Sequence, residues 1–257
     1  MPEGDTVWLA ARRLHEALSG QELVLSDFRV PQLATVDLTG ETVLAVVPKG
    51  KHLLTRLSSQ RTLHTHFRME GSWHLYSPGA RWSQEDVRVV LAVPDRVAVG
   101  YRLAVVELLP TAAEDDVVGH LGPDVLSDDF DPDEAVRRLA AHPDGEIGMA
   151  LLDQRNLAGI GNLYRLEALF LRGVNPWTHV ADVDLPPLVA LCRRLMVQNK
   201  LHAQQITTGS TRRGEEHWVY QRDRRPCRRC RTPIARADQG EAPYSRVSYW
   251  CPRCQPA

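Results

Sequence analysis

One amphipathic helix is predicted at the start of the chain. Its apolar positions keep helical spacing at Val7, Ala10, Ala11, Leu14, Ala17 and Leu18. Asp5 or Thr6 can cap the start of this helix, and Gly20 can end it. The pattern therefore predicts a helix with one apolar face that packs on a neighbouring layer.

From about residue 23 to residue 108 the pattern changes to short β-prone runs, separated by Gly, Pro, Asp and Ser. These runs are "ELVLSDFRV", "KHLLTRL", "RTLHTHF", "GSWHLY", "VRVVLAV" and "LAVVELL". They predict an antiparallel sandwich or barrel on which the first helix packs.

The second half of the chain has helical periodicity. Residues 111–134 are acidic and proline-containing, which indicates a linker. Helical patterns then dominate residues 135–216, and residues 217–257 are rich in arginine and cysteine. The sequence thus predicts an α+β protein of two domains, with an N-terminal β domain over residues 1–110 and a C-terminal helical domain that ends in a small cysteine module.

Four of the five cysteines have the spacing of a metal site. Cys227 and Cys230 form one C-x2-C pair, and Cys251 and Cys254 form the other. Four thiolates in this arrangement suit tetrahedral Zn²⁺ with no open position, so we expect one structural zinc ion on a β-hairpin. Cys192 lies on an apolar helical stripe and is expected to be an ordinary buried thiol.

Charge is distributed unevenly along the chain. The net charge is −1, but residues 200–257 hold twelve Lys and Arg against five Asp and Glu. A basic C-terminal region on an acidic body favours a polyanionic partner. Arginines close to the cysteines suit phosphate contacts, namely Arg222, Arg224, Arg225, Arg228, Arg229, Arg231 and Arg253.

The stretch "LLDQRNLAGIGNLYRLEALF" predicts two helices joined by a tight turn. Gly159 and Gly161 permit the turn, and Asn162 can cap the second helix. The free N–H groups at such a helix start suit a phosphate.

No apolar run approaches the ~18 residues of a bilayer span, and no secretory signal is visible. We therefore expect a cytoplasmic protein of the bacterial cytosol or nucleoid that contacts no membrane and acts as a monomer.

Taken together and in this order, several motifs resemble the formamidopyrimidine-DNA glycosylase/endonuclease VIII family, closest to its actinobacterial endonuclease VIII-like branch. The motifs are "PEGDT", "KGKHLL", "LLDQRNLAGIGNLYRLEALF" and "CRRC…SRVSYWCPRCQ". The resemblance implies a two-lobed enzyme that binds damaged DNA between its lobes, removes oxidised bases and cuts the strand. It implies an N-terminal β-sandwich catalytic domain, a helix–two-turn–helix at 147–172 within 135–216, and a zinc hairpin at 227–254.

The same resemblance implies a role for individual residues. Pro2 matches the nucleophile once Met1 is trimmed, and Glu3 matches its acid/base partner. Lys51 matches the hairpin lysine that neutralises or protonates a departing phosphate. Two further residues match phosphate contacts: Asn162 and Arg246.

Extrusion of the damaged nucleotide requires a residue that fills the gap. Met69 in "HFRMEG" matches the first void-filling position, with Arg68 beside it; a core methionine is the alternative. The segment "VAVGYRLAVVELL" lacks the D-P-R-R-F-like pattern of 8-oxoguanine-type members. This departure favours oxidised pyrimidines as substrates.

Two other interpretations remain open from the sequence. A zinc-dependent DNA-binding protein could keep the fold without the chemistry, and a protein-interaction module could be built on the zinc hairpin. The joint presence of Pro2, Glu3 and Lys51 favours the enzyme over the first, and the arginine excess disfavours the second.

Overall fold

The computed structural model describes residues 2–257, with Met1 outside the described part, and they form two compact units that divide between residues 120 and 121. The division falls inside the segment 111–134 that was predicted to be a linker, and part of this segment is helical. None of the helices formed by residues 2–257 has the length and apolar character of a bilayer span.

The first unit contains two four-stranded antiparallel sheets and one long helix, as predicted. The helix α1 spans Gly4–Leu18, and the strands are β1 (Leu25–Phe28), β2 (Val43–Lys49), β3 (His52–Leu57), β4 (Arg61–His66), β5 (Ser72–Tyr76), β6 (Val87–Val93), β7 (Arg96–Tyr101) and β8 (Val105–Pro110). One sheet has the order β1-β6-β7-β5 and the other has the order β2-β3-β4-β8.

Both sheets and α1 bury apolar side chains in one core. Phe28 and Leu91 come from the first sheet, Leu53 and Leu63 from the second, and Leu14 from α1. Removal of this apolar surface from water is what stabilises the sandwich. A short helix α2 (Glu114–Val118) follows β8, where Glu114 pairs with Arg56 of β3 at 2.7 Å.

The second unit is helical and ends in a β-hairpin. Its helices are α3 (Pro132–Ala140), α4 (Ile147–Ala150), α5 (Asn162–Arg172) and α6 (Leu185–Asn199), and its strands are β9 (Ala235–Gln239) and β10 (Arg246–Trp250). The strands pair antiparallel, as predicted, with Arg246 opposite Gln239. Asp131 caps α3 by accepting from the backbone N–H groups of Asp133 and Glu134.

The first helix of the predicted helix–turn–helix is shorter than its apolar pattern suggests. Polar side chains after α4 bond to nearby backbone groups instead of allowing the helix to continue. Gln154 donates to the carbonyls of Leu152 and Ile160, and Asn156 donates to that of Ala150. Gly159, at φ +99°, supplies the left-handed residue that the turn requires.

Candidate active site and nucleic-acid interface

The start of α1 carries the two residues expected to react. Glu3 is the N-cap residue, with extended backbone angles of φ −120° and ψ −173°, and its side chain is fully buried. Pro2 precedes it and is half-buried. The prediction that Asp5 or Thr6 caps the helix was wrong, because the helix begins at Gly4 and Asp5 is itself a buried residue of the first turn.

Lys51 lies in the tight turn between β2 and β3. Gly50 precedes it with φ +56°, a left-handed angle that a glycine adopts without strain. Lys51 is half-buried, and the pair Lys49–His52 closes the hairpin on either side of the turn. The hairpin therefore holds the backbone of Lys51 in the turn at the end of two paired strands.

Beside Lys51 lies a cluster of histidines that the sequence interpretation did not single out. His52 Nδ1 lies 2.8 Å from His64 Nε2, and His64 Nδ1 lies 3.1 Å from Glu107 Oε2. The His66 ring packs edge-on against His52 at a centroid distance of 4.8 Å. The alternation of histidines in "LHTHF" is the signal that could have located them on one face of β4.

Burial is the largest cause of low pKa values in this cluster. Together with the charges of His66, His64, His120 and Lys51, it lowers the pKa of His52 to about 3. Burial, with the charges of Arg68, Lys51 and His64, lowers the pKa of His66 to about 4. Both imidazoles are therefore neutral at neutral pH.

These low pKa values predict that acid destabilises the first unit. An unfolded histidine takes up a proton near pH 6.5, whereas folded His52 and His66 do so only near pH 3 and pH 4. The free energy of unfolding therefore decreases as the pH falls below 6.5, by about 1–2 kcal/mol per imidazole at pH 5. Urea denaturation at pH 8 and pH 5 measures this loss.

His52→Gln should reduce the loss of unfolding free energy between pH 8 and pH 5, since glutamine does not titrate. His74→Gln is the matched control, because His74 is an exposed histidine of β5. An equal loss in the parent protein and in His52→Gln would contradict this origin of the acid sensitivity.

The loop between β4 and β5 presents Met69 to solvent. The Met69 side chain is 65% exposed, which excludes the alternative that it is a core residue. Arg68 before it is exposed and has a left-handed φ of +53°. Gly71 keeps the loop tight, because a Cβ there would lie 2.7 Å from the Phe67 backbone. Met69 is therefore an exposed apolar side chain on a restrained loop.

Asn162 is the first residue of α5, and Gly161 is the N-cap residue, so the prediction that Asn162 caps this helix was wrong. The Asn162 amide bonds to other protein groups. Its Nδ2 donates to the Val247 carbonyl at 2.9 Å, and its Oδ1 accepts from Arg165 Nε at 2.9 Å. This residue of the helix–turn–helix is thus tied to β10 next to Arg246.

Behind Asn162 lies a buried polar network that joins helix and hairpin. Arg165, fully buried, donates from Nη1 to Gln239 Oε1 at 2.7 Å and from Nη2 to Ser248 Oγ at 2.8 Å. Arg246 itself is exposed, and its Nη1 donates to the Ser245 carbonyl. The predicted phosphate contacts Asn162 and Arg246 are therefore brought together through β10.

Glu167, also on α5 and fully buried, holds the segment that leads into the cysteine module. Its carboxylate accepts from the backbone N–H groups of Trp218, Val219 and Tyr220 at 2.8, 2.8 and 2.9 Å. Neither Arg165 nor Glu167 was singled out in the sequence. Charged residues on the apolar face of α5 are the signal that could have identified them.

The four cysteines of the module come together as predicted. Their sulfur atoms all lie within 4.8 Å of one another, with Cys227–Cys254 at 3.9 Å and Cys230–Cys251 at 3.4 Å. A tetrahedral ion with Zn–S bonds near 2.3 Å requires S–S separations of about 3.8 Å, so the cluster fits a metal ion. No other group of His, Cys, Asp or Glu within residues 2–257 fits one.

Several arginines near the cysteines make contacts within the protein. Arg229 lies over the rings of Phe170 and Trp218 at 4.5 and 5.5 Å. Arg228 donates to the carbonyls of His217 and Gly214, and Arg222 is buried. The interpretation as a phosphate contact was therefore wrong for the buried Arg222, and it stays a prediction for the other arginines.

Comparison with known proteins identifies this combination of features. The model of the formamidopyrimidine-DNA glycosylase N-terminal domain matches residues 1–103, and that of the formamidopyrimidine-DNA glycosylase H2TH domain matches residues 121–210. A protein of Streptomyces coelicolor named probable endonuclease 8 2 is 53% identical, covering 99% of this chain and 94% of its own. The DNA-(apurinic or apyrimidinic site) lyase Nei2 of Mycolicibacterium smegmatis is 42% identical over the whole of both chains.

The fold also matches that of solved structures. The complex of Lactococcus lactis Fpg with DNA that contains an abasic site superposes with a TM-score of 0.83, at 23% identity and over the whole of both chains. At that identity the likeness establishes the fold, and the sequence relatives establish the family. The chain belongs to the formamidopyrimidine-DNA glycosylase/endonuclease VIII family of DNA repair enzymes, within which its relatives include endonuclease 8-like proteins of actinobacteria.

Proposed function

We propose that this protein is a bifunctional DNA glycosylase/AP lyase of base excision repair that excises oxidised pyrimidines and nicks the strand. The observation that carries the proposal is the start of α1, where Pro2 precedes the N-cap residue Glu3 and the side chain of Glu3 is fully buried. The relatives named endonuclease 8 and DNA-(apurinic or apyrimidinic site) lyase support the same activity.

Pro2 is the proposed nucleophile. Trimming of Met1, which lies outside the described residues, would expose a secondary amine. An α-amino group has a pKa near 8, against about 10.4 for a lysine, so more of it is neutral at pH 7. Attack of this nitrogen on C1′ expels the damaged base, and after the nitrogen loses its proton the C1′–O4′ bond breaks. This leaves a cationic iminium, a covalent intermediate that acidifies the C2′ proton.

Glu3 is the proposed acid/base partner of Pro2. It follows the nucleophile directly in the chain, so a sugar bonded to Pro2 lies within its reach. Protonation of O4′ opens the sugar ring and assists departure of the base. This role requires a carboxyl group that is shielded from solvent, and the burial of Glu3 supports it.

Lys51, Asn162 and Arg246 are the proposed phosphate residues. Loss of the C2′ proton expels the 3′ phosphate by β-elimination, and δ-elimination then releases the 5′ phosphate. Lys51, half-buried beside neutral imidazoles, neutralises or protonates the departing phosphate. Arg246 and the start of α5 bind the phosphate that flanks the extruded nucleotide.

Met69 is the proposed wedge, with Arg68 beside it. The exposed thioether side chain on a restrained loop supports insertion into the gap left by an extruded nucleotide. The single metal ion is proposed to be Zn²⁺. When bound it cross-links the ends of the hairpin, so that Cys227, Cys230, Cys251 and Cys254 anchor the strand that carries Arg246.

Glu3→Gln tests the acid/base assignment. We expect it to slow excision of an oxidised pyrimidine by on the order of 100-fold, because glutamine cannot supply a proton to O4′. Cleavage of a preformed abasic site should fall much less, since the base is already absent. Gel analysis of duplexes with a thymine glycol or an abasic site separates the two steps.

Glu16→Gln is the matched control, because Glu16 is an exposed carboxylate on the same helix, paired with Arg12. Excision at the parent rate by Glu3→Gln would remove Glu3 from the mechanism. Binding of abasic DNA without any cleavage by the parent protein would instead favour a non-catalytic zinc-dependent DNA-binding protein.

A further inference from the structure

Gln239 occupies a central position between the zinc hairpin and the helix–turn–helix. It is the last residue of β9, it lies directly opposite Arg246 in the strand register, and it is 1% exposed. The mechanism proposed above does not use this side chain. A buried primary amide must be fully hydrogen-bonded to be stable, so its partners indicate what it does.

The Gln239 amide uses both of its donors and both of its acceptor positions. Its Oε1 accepts from Arg165 Nη1 at 2.7 Å and from Ser248 Oγ at 2.8 Å. Its Nε2 donates to the Pro176 carbonyl at 2.7 Å and to Glu146 Oε2 at 2.9 Å. One side chain thus links α5, β10, the residue before α4 and the loop after α5, and it has no capacity left for another partner.

Gly148 of α4 allows this arrangement. A Cβ at Gly148 would lie 2.5 Å from Gln239 Oε1 and 2.7 Å from Arg165 Nη1. Any larger residue would therefore displace the amide or the guanidinium group. The absence of a side chain at Gly148 and the saturation of the amide at Gln239 are two independent signs that the hairpin is held in one position on the helices.

We propose that Gln239 is a positioning residue that holds Arg246 and Asn162 in one rigid frame, so that both reach the same stretch of phosphate backbone. The frame is the chain of bonds from Gln239 through Arg165 to Asn162, and from Asn162 to the Val247 carbonyl beside Arg246. This inference rests on the proposed function, which makes Arg246 and Asn162 phosphate contacts.

Gln239→Met is the first test, because methionine keeps the volume and removes all four hydrogen bonds. The measurement is the affinity for a duplex with a reduced, unreactive abasic site as a function of salt concentration. We expect affinity to fall about tenfold, and the slope of log affinity against log salt to fall by about 0.9 for each lost phosphate contact. Arg246→Ala should then add little to Gln239→Met, because both remove the same contact.

Gln239→Glu is the second test, with Glu146→Gln as its rescue. The single variant places one carboxylate against another, so we expect it to weaken binding as much as Gln239→Met. The double variant restores the donor–acceptor pair between residues 146 and 239 but not the bond to the Pro176 carbonyl, so it should regain part of the lost affinity. Gln204→Met, at an exposed glutamine outside the network, is the control, and bound zinc is measured in every variant.

Four results decide the question. An unchanged salt slope in Gln239→Met, or loss of affinity additive with that of Arg246→Ala, would overturn the positioning role. A double variant that binds no more tightly than Gln239→Glu alone would do the same. A salt slope in Arg246→Ala equal to that of the parent would instead show that Arg246 contacts no phosphate. In that case the role proposed for Arg246 is wrong, and Gln239 has no phosphate contact at Arg246 to position.

Discussion

Pro2→Gly is expected to lose the covalent adduct that borohydride traps between the protein and abasic DNA. The rate of adduct formation and of strand cleavage should fall by on the order of 100-fold, although an N-terminal amine is still present. A secondary amine gives an iminium that stays cationic at any pH, whereas a primary amine gives an imine that must be protonated before it withdraws electrons. Glycine also lacks the ring that fixes the direction of the nitrogen at the start of α1.

The adduct is measured by mobility shift on a denaturing gel, and peptide mass spectrometry locates the sugar remnant. Pro132→Gly is the matched control, because Pro132 is the first residue of another helix, α3. A reduced sugar attached at any residue other than Pro2, or an active protein that retains Met1, would contradict the assignment of the nucleophile.

Cys251→Ser is the change with the second large effect. It removes one of the four sulfur atoms of the cluster, so we expect the proposed Zn²⁺ to be lost and the β9–β10 hairpin to lose its fixed structure. The Val247 carbonyl beside Arg246 then no longer bonds to Asn162 of α5, and affinity for abasic DNA should fall at least tenfold. Elemental analysis gives the zinc content, and fluorescence anisotropy gives the affinity.

Cys192→Ser is the control, because Cys192 is a buried thiol of α6 that lies outside the cluster. This variant should keep one zinc ion per chain and bind DNA as the parent does. Unchanged DNA affinity after removal of zinc from the parent with a chelator would show that the hairpin plays no part in binding.

The polar network and the cysteine cluster constrain the same hairpin from opposite ends. The sulfur atoms fix the ends of the module, and Gln239, Ser248 and Asn162 fix the strands near Arg246. Loss of zinc and loss of the network should therefore be separable. Gln239→Met is expected to keep its zinc and lose a phosphate contact, whereas Cys251→Ser is expected to lose both.

The amino-acid sequence by itself determined the features that depend on spacing along the chain. Two C-x2-C pairs indicate a metal knuckle whatever surrounds them, and the structure confirms that the four sulfur atoms meet. The period of apolar residues in 7–18 likewise defines α1, and the alternating runs define two sheets. The compound motifs identified the family, which the sequence relatives confirm.

Only the tertiary structure decided what those side chains face. The burial of Glu3 and the exposure of Met69 depend on what packs around each side chain. The bond from Asn162 to Val247 joins two residues that lie far apart in the chain. The same is true of the arginines, since Arg222 is buried while Arg246 stays exposed. Helical and strand periodicity records which face of an element is apolar. The partner of a polar group is set by how elements pack, and no local pattern encodes that packing.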